Sequence, residues 1–75
     1  MSHQLLVHVM DVEGALVRVL GMAERRGYRP TKVSARPDRM GMMQLRLSVH
    51  SKRPLEQLIA QLEKLYDVTA VRRVC

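Results

Sequence analysis

Three histidines, one cysteine and seven carboxylates are the side chains of this 75-residue sequence best suited to acid-base, nucleophilic or metal chemistry. Their spacing argues against all three. His3 stands in a terminus expected to fray, and His8 and His50 fall in stretches of alternating hydrophobicity, where a surface histidine is the ordinary outcome. No nucleophile is paired with an oriented base. Cys75 is the single cysteine and the last residue, so no internal disulfide forms and no Cys/His cluster exists for a metal. It is expected to be exposed, with no group to depress its pKa. The sequence therefore predicts a chain with no catalytic residues, no metal and no cofactor of its own.

Two other kinds of chemistry fit the residues better. In Asp11-Val12-Glu13-Gly14 a glycine precedes a helical pattern, which lets another backbone approach, and the unpaired amides of a helix start can seat a carboxylate. A small anion such as an amino acid could bind there. The alternative is purely structural: Asp11 caps the helix, Glu13 complements its dipole, and Gly14 permits tight packing. Taken alone, the residues lean to the second reading. The basic surplus is the other feature, with 13 Lys and Arg against 7 Asp and Glu, a formal charge of +6. RNA recognition on a sheet needs stacking aromatics, and the chain has only Tyr28 and Tyr66. Arg36, Arg46, Arg72 and Arg73 would attract phosphate without specificity, so a solvated basic face or an acidic protein partner is the stronger reading. A copper chaperone would need thiols in the first loop, which has none.

The elements that must position these residues follow from periodicity. Leu5, Val7 and Val9 alternate in Gln4–Val9, a strand with apolar groups on both faces, as in a sheet interior. Leu16, Val19, Leu20 and Ala23 then repeat as one face of a helix, which Arg25-Arg26-Gly27 terminates with two cations and a left-handed glycine. Thr31–Arg36 reads as a polar edge strand after Pro30, and Pro37 to Gly41 as a turn. Met43, Leu45, Leu47 and Val49 mark one face of the cleanest strand. Ser51 is a candidate cap and Pro54 a first-turn residue for a helix carrying Leu55, Leu58, Ile59, Leu62 and Leu65. Asp67 closes that helix, and Val68 to Val74 forms the last strand.

The order β-α-β-β-α-β with right-handed crossovers predicts an α+β, ferredoxin-like two-layer sandwich with antiparallel sheet order 4-1-3-2. All 75 residues fit one domain, and no apolar run approaches the roughly 20 residues of a membrane span. Leu5–Met10 is too short, and is interrupted by His8, to be a secretory core, so a cytoplasmic location is expected. So small a core, without staples, is marginal alone and implies an oligomer or a subunit.

One resemblance sharpens this picture. Glu13-Gly14-Ala15-Leu16-Val17-Arg18-Val19-Leu20-Gly21-Met22, with Arg25-Arg26-Gly27-Tyr28 after it, resembles the ACT domain and, within it, the small regulatory subunit of acetolactate synthase. Pro54 to Leu58 and Gln61 to Val68 look like that subunit's second helix, and the chain's length is most like the short isozyme II type. The resemblance implies a non-catalytic chain that activates a large catalytic subunit, with thiamine diphosphate, Mg2+ and FAD on that partner, in branched-chain amino acid biosynthesis. It implies a homodimer joined at the second strand, and an effector site formed by Asp11, Val12, Gly14, Ala15 and Arg29. Asp11 and Arg29 stand where valine-sensitive relatives carry Asn, so valine should act weakly or not at all. Arg18, Arg46 and Arg72 are the expected contacts to the partner. A free-standing amino-acid sensor acting on another protein is the competing reading.

Overall fold

Period-two alternation becomes four strands and period-3.6 alternation two helices: β1 (Ser2–Met10), α1 (Ala15–Arg25), β2 (Arg29–Pro37), β3 (Met42–His50), α2 (Leu55–Leu62) and β4 (Val68–Arg73). The computed structural model describes residues 1–74, and Cys75 lies outside the described residues. The sheet order is β2-β3-β1-β4, which is the expected order read from the opposite edge, and every neighbouring pair is antiparallel. This is the ferredoxin-like sandwich.

Both helices lie on one face of the sheet, and the core fills the space between. Leu5, Val7 and Val9 of β1 and Met43, Leu45, Leu47 and Val49 of β3 meet Ala15, Val19 and Ala23 of α1 and Leu55, Leu58 and Leu62 of α2. Each buried Leu or Val contributes about 1.5–3 kcal/mol over an exposed position. Tyr28 is the one aromatic in this core, and its hydroxyl donates to the Pro54 carbonyl at 2.6 Å. β1 lies inside the sheet between β3 and β4, with Leu5, Val7 and Val9 buried under the helices and Gln4, Leu6 and His8 on the other face, while β2 is an exposed edge.

α1 ends as the sequence predicts. Gly27 takes φ +88°, and the Arg26, Gly27 and Tyr28 amides fold back onto the Met22, Glu24 and Ala23 carbonyls, so the exposed end of the helix is satisfied by its own chain.

The helix starts differ from expectation. Asp11 does not cap α1: its amide donates to the Gly41 carbonyl, Gly14 occupies the cap position at φ +82°, and no side chain bonds the first turn. Ser51 does not cap α2 either. Its hydroxyl donates to the Gly27 carbonyl at 2.9 Å and accepts from the Arg53 amide at 3.0 Å, which ties the end of α1 to the approach of α2. Pro54, with ψ 140°, stands before α2 and not in its first turn. α2 stops at Leu62, and β2 extends through both Pro30 and Pro37, with a register shift between Pro30 and Lys32. No described helix is long and apolar enough to cross a membrane.

Candidate functional site

The junction between β1 and α1 is built around a charge that the sequence concealed. Arg18, in the first turn of α1, donates through Nε and Nη2 to a single oxygen, Oδ2 of Asp67, at 2.9 and 2.6 Å. Nη2 also donates to the Glu13 carbonyl at 3.1 Å, and the guanidinium lies 5.2 Å from the centre of the Tyr66 ring. Asp67 is fully buried, and its Oδ1 has no partner among the described residues. Its carbonyl accepts the Met10 amide at 2.7 Å. The hydrogen bond to Asp67 raises the Arg18 pKa above its ordinary value. This pair fastens the loop ahead of α1 to the chain that leads into β4.

Gly14 is required by the same arrangement. A Cβ at this position would lie 2.7 Å from Arg18 Nη1, and the backbone is left-handed. At the start of the helix the Ala15 and Arg18 amides donate to the Val12 and Gly14 carbonyls at 3.1 and 2.9 Å, beside a guanidinium already committed to Asp67.

The five expected effector residues do not converge within one chain. Asp11, Val12, Gly14 and Ala15 gather at the Gly41 end of the sheet. Arg29 pairs with His50 at the other end, about 26 Å away along the nine residues of β3. There it lines a shallow cavity of about 230 Å³ with Glu24, Gly27 and Tyr28. Of the three expected contact residues, Arg18 is held by Asp67, whereas Arg46 and Arg72 lie exposed on the sheet face away from the helices, on either side of Leu6. His8 and His50 are on that face as well, in register with Gln44 and Arg29. Among the described residues no group of three or more His, Cys, Asp or Glu could hold a metal ion.

Sequence reasoning missed Asp67, reading it only as a helix end. The available signal was a lone acid between an apolar helical stripe and a β-rich segment. It also missed the pairing of Tyr28 with Pro54, which only the fold brings together.

Comparison with known proteins agrees with this architecture. Residues 11–71 match the sequence model of the ACT domain. The crystal structure of the acetolactate synthase small subunit from Thermotoga maritima superposes with a TM-score of 0.87 at 22% identity, over 100% of this chain and 48% of that one. This chain thus spans about half the length of that subunit. The ACT domain from GTP pyrophosphokinase of Chlorobium tepidum superposes at 0.82 with 17% identity, covering 99% of this chain and 97% of the other. The C-terminal domain of the MgtC protein from Mycobacterium tuberculosis gives 0.74 at 18% identity, over 97% and 84%. Such identities speak for the fold, and the match of the chain's own residues for its kinship: the chain belongs to the ACT domain family, whose units regulate and do not catalyse.

Proposed function

We propose that this chain is the small regulatory subunit of an acetolactate synthase, of the short isozyme II kind, acting in the cytoplasm on a separate catalytic chain that carries thiamine diphosphate, Mg2+ and FAD. The observation that carries this reading is that an ACT unit leaves the β2 edge and one sheet face bare, while among the described residues no nucleophile and base come together. The motif from Glu13 to Tyr28 and the second-helix motif supply the choice of partner. An activator of this kind works by binding the active arrangement of the catalyst more tightly than the inactive one.

A homodimer joined through β2 completes the reading. Antiparallel pairing of two β2 strands about Val33 sets Arg29 of one chain opposite Pro37 of the other, at the end of the sheet where Gly41 and Asp11 lie. An effector that touches Gly14 and Arg29 together would then sit between two chains. In that pocket Asp11 adds negative charge where a carboxylate would rest, and Arg29 either fills the space or clamps the ligand. Valine is therefore a weak effector or none.

The deciding experiment mixes the purified chain with an acetolactate synthase catalytic subunit and follows turnover. Activation supports the proposal; unchanged turnover with a cognate catalytic chain overturns it. A second reading, a free-standing amino-acid sensor acting on another protein, is favoured by one observation: the same fold occurs in the ACT domain of a GTP pyrophosphokinase, so an ACT unit is not tied to acetolactate synthase.

A further inference from the structure

The formal charge of +6 is not spread over the surface. Cross-strand register assigns each side chain to one sheet face, because partners across a ladder share a face. The core residues Leu45, Leu47 and Val49 define the helix-covered side, so Gln44, Arg46, Ser48 and His50 of β3 lie on the other. With them lie Arg29, Lys32 and Arg36 of β2, which are in register with His50, Ser48 and Gln44. Leu6 of β1 is in register with Arg46 on one side and Arg72 of β4 on the other. Five of the 13 cations thus occupy this face, and none of the seven carboxylates does, since those fall in loops, in helices or beside them. The eight remaining cations against seven acids leave the rest of the molecule at +1. Almost the whole surplus belongs to one bare sheet face.

These cations have no internal task. Among the described residues the ion pairs are Arg18 with Asp67 and Arg73 with Glu56, both on the helix side. Arg46 and Arg72 border Leu6 and Ala70, a small apolar centre with a charged rim, and Leu6, His8, Ala70 and Arg72 line a depression of about 180 Å³. A protein interface has this organisation, with an apolar middle ringed by charge that selects a complementary partner. Nucleic acid is a poorer match. Tyr28 is buried in the core and Tyr66 lies beside Arg18, so the face offers bases no tyrosine to stack on.

We infer that this sheet face docks on the catalytic subunit, against a patch of carboxylates surrounding an apolar centre. The inference rests on the regulatory reading above and adds where and by what chemistry the two chains meet. Arg18 takes no part, because its guanidinium already serves Asp67.

The test compares two charge-matched double variants titrated into the full catalytic subunit, with turnover as the signal. Arg46→Glu with Arg72→Glu alters the face; Arg39→Glu with Lys64→Glu makes the same change in net charge at exposed sites elsewhere. At an ionic strength of about 0.1 M the first pair should raise the half-saturating concentration at least about tenfold, and the second should stay within about twofold. Thermal unfolding of each variant controls for folding, and a fluorescent single-stranded RNA titrated into the wild-type chain tests the other polyanion. If the wild-type chain activates and Arg46→Glu/Arg72→Glu activates equally, the docking assignment falls while the functional reading stands. Equal loss in both pairs overturns it too, as does submicromolar RNA binding abolished only by the first pair. A wild-type chain without effect on turnover removes both.

Discussion

Arg18 and Asp67 stand 49 positions apart in the chain, yet both guanidinium contacts fall on one carboxylate oxygen, and that carboxylate is wholly out of solvent. The arginine remains about one-third exposed. The two partners therefore differ in what their loss would cost: a stranded guanidinium can turn to water, while a stranded Asp67 carboxylate cannot.

Arg18→Met should accordingly lower Tm more than Asp67→Asn, by on the order of 10 °C or more for a domain of this size. The double variant Arg18→Met with Asp67→Leu should recover much of the loss, since the pair is replaced by apolar volume. Thermal unfolding of all four proteins as a double-mutant cycle measures the coupling.

Gly14→Ala should destabilise by about 1–2 kcal/mol from the left-handed backbone alone. It should lose more from the added methyl, because the atom it meets at 2.7 Å is Arg18 Nη1, which cannot withdraw without loosening Asp67. In an Arg18→Met background the second part should disappear and the first remain. Denaturant midpoints of the single and double variants check this.

Burial raises the Tyr28 pKa above the ordinary tyrosine value of about 10. The folded state thus prefers the neutral phenol, so this contribution to stability is intact below pH 10 and is lost as pH climbs through the raised value. Tm of the wild-type chain should fall above pH 10, and Tyr28→Phe, less stable at neutral pH for want of the bond to Pro54, should show a shallower alkaline decline. Melting curves from pH 8 to 12 decide it.

Calorimetry of the wild-type chain with valine should show no binding on the order of tens of micromolar. Asp11→Asn combined with Arg29→Asn should bring valine affinity into that range, and only at protein concentrations where dimers form. A wild-type titration with tens-of-micromolar affinity would sink the reading of those two residues.

Most of the architecture was legible because it rests on local periodicity. Met43, Leu45, Leu47 and Val49 announce a two-faced strand, and Val19 and Ala23 with their neighbours a helical stripe. Gly27 marks the end of α1 by a backbone conformation that few other residues adopt. The helix starts were not legible. Asp11 and Ser51 have the right chemistry for caps, but the fold directs the Asp11 amide to Gly41 and the Ser51 hydroxyl to Gly27. Arg29 and Gly14 are named together by resemblance, but nothing local reveals that they lie at opposite ends of β3. Asp67 was hidden for a similar reason: its role depends on Arg18, and only tertiary structure introduces them.

The segregation of charge also bears on how the molecule travels. A body with its excess on one side possesses an electric moment, so near the acidic partner proposed above it would rotate into alignment before contact. Encounter becomes fast and sensitive to ionic strength, while the lifetime of the assembled complex is left to the apolar contacts beneath.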